Sequence, residues 1–255
     1  MLVVHGYGEH SGRYEHVFAA LQRRGYSCLG IDCRGFGRSG GRRAFVRRFD
    51  DYLDDVQWGI DQLRAHTPQP PVLLGHSQGG LVAALFAIER ERPLAGLVLS
   101  SPALRFALRV PAYKRALARL LSTCWPTFAL PTEIDARDLT RDEDVREALR
   151  DDPLVVRVGT ARWYTESLRA QQKALAGASR IRVPTLLQVA GADRVVDATV
   201  TRAFFEDLGA ADRSWIGYPE RLHEVYQDGA EGACDALADL GAWLDGARGR
   251  ALSSG

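Results

Sequence analysis

The 255-residue chain predicts an α/β fold: a mostly parallel sheet covered by helices, with one helical insertion at its carboxyl edge. Three observations carry this. Short apolar runs alternate with helical patterns of roughly 10–15 residues, as strand–helix–strand crossovers require. The runs are continuous rather than alternating, which suits strands buried on both faces. One connection, residues 102–180, is far longer than a crossover needs.

In order, residues 2–4 form a first strand that ends at His5-Gly6, and residues 14–24 are helical. Residues 26–31 form the second strand, and residues 50–65 a helix with Leu53, Val56, Ile60 and Leu63 at helical spacing. Strand 71–74, helix 80–90 and strand 94–99 follow. After the insertion come strand 185–190, helix 196–208, strand 214–218 and a last helix over 232–244. Right-handed crossovers bring the strand carboxyl ends to one edge, where a site forms. The core is therefore expected in residues 1–101 and 181–255. Residues 102–180 are expected as a mostly helical cap over that edge, where long insertions usually serve function.

Composition limits the functional classes. Basic and acidic residues number 33 and 32, so no bulk field favours nucleic acid. Cys28, Cys33, Cys124 and Cys234 show no C-x-x-C spacing, and no histidine pair has ligand spacing, so neither a metal nor another cofactor is expected. Reduced cysteines fit a cytoplasmic location, and no signal peptide is visible ahead of the first strand. No apolar stretch approaches the ~18 residues that span a bilayer.

The chemistry centres on Gly75-His76-Ser77-Gln78-Gly79, set where strand 71–74 hands over to a helix. A serine on a sharp strand–turn–helix bend, with glycines two before and two after, is the nucleophile elbow of an α/β-hydrolase fold. Its hydroxyl needs a base. Of His5, His10, His16, His66, His76 and His223, only His223 follows Ser77 by enough chain to return over the sheet. The acid should leave the end of an intervening strand. Asp193 does so directly after strand 185–190, whereas its rival Asp197 falls in the first turn of the next helix, where an acid complements the helix dipole. Backbone N–H groups of Gln78 and of Tyr7, in His5-Gly6-Tyr7-Gly8, are the expected oxyanion donors. Gly35-Phe36-Gly37-Arg38-Ser39-Gly40 matches a dinucleotide fingerprint, but no helix opens on it and it reads as a loop beside the site.

Residues 105–119 hold five basic residues, Arg105, Arg109, Lys114, Arg115 and Arg119, and no acid. Tyr113, Ala116, Leu117, Leu120, Leu121 and Cys124 share one helical face, with Arg115 and Arg119 opposite. Such a helix either rests on an anionic membrane surface or packs its apolar face on the domain and leaves its arginines in water.

The stretch His5-Gly6-Tyr7-Gly8-Glu9-His10-Ser11-Gly12-Arg13-Tyr14 resembles the H-G-x-G-E-H-S-G-R-Y signature of monoacylglycerol lipases and their lysophospholipase-like bacterial relatives. The loop from Asp32 to Gly40 is similar to the family's D-x-R-G-x-G-x-S-x-G, with Cys33 where histidine is common. Gly75 to Gly80, Gly191-Ala192-Asp193 and His223-Glu224 follow in the family's order, and Asp152-Pro153-Leu154 is similar too. The resemblance implies hydrolysis of carboxylic esters of single-acyl-chain lipids. A short-chain carboxylesterase, a peptidase of similar architecture and a non-catalytic or fragmentary hydrolase-fold protein are the alternatives. Glu9 and Arg13 would shape the polar end of the pocket or anchor their loop. The family carries two strands ahead of the H-G loop that are missing here, so strand 26–31 is expected as an unpaired sheet edge.

Overall fold

The structure, a computed structural model, describes residues 1–107, 110–132 and 134–253. In chain order the strands are β1 (Leu2–Val4), β2 (Leu29–Ile31), β3 (Val72–His76), β4 (Gly96–Ser100), β5 (Ala129–Pro131), β6 (Val158–Thr160), β7 (Thr185–Ala190) and β8 (Arg213–Tyr218). Six of them form one sheet in the order β2-β1-β3-β4-β7-β8, with every pairing parallel. The helices are α1 (Glu15–Arg23), α2 (Asp50–His66), α3 (Gln78–Glu89), α4 (Ala112–Cys124), α5 (Ala136–Leu139), α6 (Glu143–Asp151), α7 (Ala161–Gly177), α8 (Ala198–Glu206) and α9 (Gly229–Ser253).

The sheet separates two apolar clusters, and the period-2 pleat sorts residues between them. Leu2, Val4, Leu73, Leu97, Leu99, Leu187 and Val189 pack with residues of α2 and α3. Their strand neighbours Val3, Leu74, Val98, Leu186 and Ala190 pack with α1 and α9 instead. Burial on both faces is why the strands read as unbroken apolar runs. Helix α3 is buried along most of its length and apolar all round, as a helix enclosed by sheet and neighbours must be.

Strand β2 lies at the sheet edge, as expected, but is shorter than residues 26–31 suggested. A strand lasts only as long as its partner: β1 offers Leu2, Val3 and Val4, paired with Leu29, Gly30 and Ile31. The last helix runs longer than residues 232–244.

Between β4 and β7 lie α4 to α7 and an antiparallel pair, β5–β6, that the helical reading did not anticipate. Thr160 links this pair to both layers. Its hydroxyl donates to the Ala44 carbonyl and accepts from Trp163 N–H at the start of α7. Helix α4 bears on the two readings left open for it: on its apolar side Tyr113, Leu117 and Leu120 are 70%, 52% and 61% exposed. The inward side carries Ser122, whose hydroxyl bonds Thr165 of α7. Arg109 of the basic stretch lies outside the described residues.

Candidate active site

Strand β1 pairs with β2 on one side and β3 on the other, so the chain leaves β1 and β3 in opposite directions. A crevice opens at such a switch point. The loop after β1 and the turn after β3 meet there.

Ser77 occupies that turn with φ 52° and ψ −116°, a backbone conformation costing an L-residue about 1–3 kcal/mol. The bend is over-determined. Ser77 N–H donates to the Ser100 carbonyl at 2.9 Å, and the Ser77 carbonyl accepts from Leu81 and Ala103. A Cβ on Gly75 would lie 2.1 Å from the Gly79 carbonyl oxygen, and one on Gly79 would lie 2.2 Å from that of Val4. Both distances are impossible, so the glycine spacing is a steric requirement of the turn.

Ser77 Oγ donates to His223 Nε2 at 2.8 Å, and His223 Nδ1 donates to Asp193 Oδ2 at 2.7 Å. The other oxygen of Asp193 accepts from Val195 and Val196 N–H, which fixes the carboxylate's direction. The loops bearing these two groups are tied together, Gly191 N–H to the Tyr218 carbonyl and Ala192 N–H to that of Arg221. Burial opposes charge on His223, but Asp193 outweighs it and raises the imidazole above its ordinary value. Asp193 is lowered despite its burial, by His223 and by the two backbone N–H groups. Asp197, the rival acid, caps α8 by accepting from Thr199 N–H.

Burial lowers the pKa of both remaining buried histidines here. His76 shares a 3.0 Å hydrogen bond with Ser100 Oγ, and burial together with the nearby His223 pushes it down to about 4. His5 accepts from Cys33 N–H at Nε2 and donates to the Gly6 carbonyl from Nδ1; burial lowers it. A cysteine serves at position 33 because the backbone makes that bond.

Gln78 opens α3 and Tyr7 follows Gly6, and among the described residues neither backbone N–H donates to another protein group. The Tyr7 ring stacks on Trp163 at 3.9 Å, and its hydroxyl donates to the Val158 carbonyl of β6. Gly8, with φ 79°, receives Val156 N–H at its carbonyl. Trp163 Nε1 donates to Gln78 Oε1 at 2.7 Å. The loop after β1 is therefore bonded to the segment between β4 and β7, and no sequence signal marked Trp163, Val156 or Val158 for this.

Glu9 and Arg13 line the same cavity as Ser77 and are hydrogen-bonded to the protein. Glu9 accepts from Gly6 N–H and the Tyr14 hydroxyl, and Arg13 bridges Glu9 to both oxygens of Glu224. Burial would raise Glu9, yet Arg13 brings it down to about 2. Their contacts are those of loop anchors. Glu224 was marked only by its place after His223.

The cavity over Ser77 has a volume of about 580 Å³. Leu139, Leu149, Val155, Val156 and Val195 give it an apolar wall, and Arg146 and Arg157 stand among its polar residues. Among the described residues no group of three or more His, Cys, Asp or Glu side chains is arranged to hold a metal. The glycine-rich loop at Gly35 to Gly40 hangs on Asp32, which accepts from Arg38 and Ser11 N–H, and the next helix begins only at Asp50.

Comparison with known proteins places the fold in a family. The family model described as "Serine aminopeptidase, S33" matches residues 1–230. The chain is 30% identical to phospholipase YtpA of Bacillus subtilis over 230 residues, 89% of this chain and 88% of that one. It is also 30% identical to human monoglyceride lipase, over 96% of this chain and 81% of that one. The crystal structure of the Paleococcus ferrophilus monoacylglycerol lipase superposes with a TM-score of 0.89 at 30% identity, covering 96% and 93% of the two chains. An α/β-hydrolase by its sheet and its elbow, the chain belongs to the serine aminopeptidase S33 family.

Proposed function

We propose that this carboxylic ester hydrolase cleaves esters of single-acyl-chain lipids, monoacylglycerols or lysophospholipids, through an acyl-enzyme on Ser77. The observation that carries the mechanism is the continuous hydrogen-bond relay Ser77–His223–Asp193 at the floor of the cavity. The similarity to a monoglyceride lipase and to a phospholipase supports the substrate class.

His223 Nε2 takes the Ser77 proton as Oγ bonds to the ester carbonyl carbon. Asp193 holds the imidazole in the tautomer with its lone pair on Nε2 and stabilises the imidazolium that forms. The carbonyl oxygen becomes an oxyanion and accepts from Tyr7 and Gln78 N–H, each donor contributing about 3–4 kcal/mol in the transition state. The C–O bond to the alcohol breaks, and His223 returns its proton to the leaving oxygen. Water then attacks the acyl-enzyme by the same route and frees the fatty acid. Glu9 and Arg13 position the Tyr7 loop through Gly6 and do not bind substrate.

The exposed Tyr113, Leu117, Leu120 and Trp125 on and beside α4 support transient contact of the cap with a lipid surface. No helix among the described residues is long and apolar enough to cross a membrane. One substrate panel tests the reading: monoacylglycerols, lysophospholipids and short p-nitrophenyl esters, each against the wild-type chain and Ser77→Ala. Serine-dependent release of long acyl chains is expected. Turnover of acetate and butyrate esters with none of the lipids overturns it.

A further inference from the structure

A second cavity, of about 910 Å³, lies between α4, α7 and the segment that follows β4. Among the described residues none lines both cavities, although Phe106 of the second packs on Trp163, which stacks on Tyr7 of the first. Among the described residues five guanidinium groups line it, Arg105, Arg115, Arg119, Arg162 and Arg169, and no Asp or Glu does. The arginines come from three separate elements, so helical periodicity alone did not gather them.

Their charges are largely uncompensated. Arg169 pairs with Glu166 at 2.6 Å. Arg105 feels Asp197 without a direct ion pair, and among the described residues neither Arg115 nor Arg119 has a carboxylate within salt-bridge range. Arg162 gives one nitrogen to the Ser122 carbonyl, but its Nε is buried with no acceptor. A buried guanidinium N–H without a partner costs free energy, and like charges around one space repel. The half-buried Tyr164 phenol, which burial raises, feels both Arg115 and Arg119, so these two reach the same point from successive turns of α4. Leu104, Phe106, Leu168 and Leu175 add an apolar wall.

We propose that this cavity is an anion site that takes the phosphate of a phosphate-bearing ligand. Guanidinium forks match phosphate oxygens two at a time, and convergent arginines neutralise its charge of about −2. The phosphate belongs either to the free anion or to the head group of an amphiphile whose chain lies on the apolar wall. The site goes beyond the ester hydrolysis argued above, because its occupancy does not require Ser77.

The test is calorimetric titration of the full chain carrying Ser77→Ala, which separates binding from turnover. Three ligands are used below their aggregation concentrations: inorganic phosphate, lysophosphatidic acid, and the monoacylglycerol of the same acyl chain. Arg115→Gln with Arg119→Gln should weaken phosphate-bearing ligands by on the order of 10-fold or more and leave monoacylglycerol affinity unchanged. Arg105→Gln, on a different element, should give a smaller loss in the same direction, and a melting curve on each variant verifies folding. Binding of lysophosphatidic acid and not of phosphate assigns the anion to a lipid head group; binding of both assigns it to phosphate as such. No binding of either, equal binding by the arginine variants, or an equal loss for monoacylglycerol overturns the proposal.

Discussion

The arginines beneath the cavity over Ser77 and those of the cap stand on opposite terms. Arg13 is 11% exposed and clamped between Glu9 and Glu224, and every one of these charges is answered within the fold. Arg115 and Arg119 lie in the open, on a helix whose apolar side also faces outward. The lesson concerns what each region is built against. Beneath Ser77 the protein pairs its own charged side chains, which holds the neighbouring loop in place. On the cap it leaves both charge and apolar surface for something outside the chain.

The largest expected effect tests the first half of that contrast. Ser77→Ala should lower kcat by on the order of 10⁶, measured on a long-chain ester, while the melting temperature stays the same or rises as the strained turn loses a polar group. Near-normal turnover would falsify the assignment of the nucleophile. Arg13→Met comes next. It strands Glu9 and Glu224, buried and facing each other, and removing one partner of such a pair costs about 3–5 kcal/mol, read by denaturant unfolding. The clamp also sets a pH trend. Glu9 is depressed to about 2, so its stabilisation is full above the ordinary carboxylate range and is lost as pH falls toward 2.

A smaller effect comes from the base. His223 must be neutral to accept the proton, and its value is raised, so kcat/KM should fall on the acid side with an apparent pKa above ~6.5. The fall should be about ten-fold per pH unit below that value. Asp193→Asn removes the main cause of the rise and should move the acid limb downward as well as slow the reaction. A profile flat from pH 5 to 8 sinks His223 as base. The smallest effect belongs to the cap: Leu117→Ser with Leu120→Ser should change stability by less than about 0.5 kcal/mol each, being exposed. Activity on vesicle-bound substrate should drop while activity on a dispersed ester holds. Equal rates on both would end the lipid-surface reading.

Much of the first region was legible from residues alone, because each role there imposes a local demand. The elbow needs glycines at two set positions, and Gly75 and Gly79 are where a side chain has no room. The proposed base, His223, is the one histidine far enough downstream, and the proposed acid, Asp193, leaves a strand end; the two are hydrogen-bonded. What escaped depended on side chains meeting across long sequence separations. Trp163 reaches Gln78 from 85 residues away, and nothing in either local sequence announces the other. Periodicity gave α4 two faces but not which of them turns inward. That choice was made by Ser122 bonding Thr165 of α7, a tertiary contact. The β5–β6 pair escaped because β5 is exposed along its length and ends in Pro131, and β6 holds Gly159, so neither is a buried apolar run like β1.

The bonds from Tyr7 to Val158 and from Val156 to Gly8 carry a consequence for modularity. An inserted cap looks exchangeable, a specificity cassette to be transplanted between scaffolds. Here the backbone proposed to supply half of the oxyanion hole is moored to that cassette by one hydroxyl and one amide. A chimera that imports a foreign cap without a matching pair of moorings inherits a different turnover number along with its different substrate range.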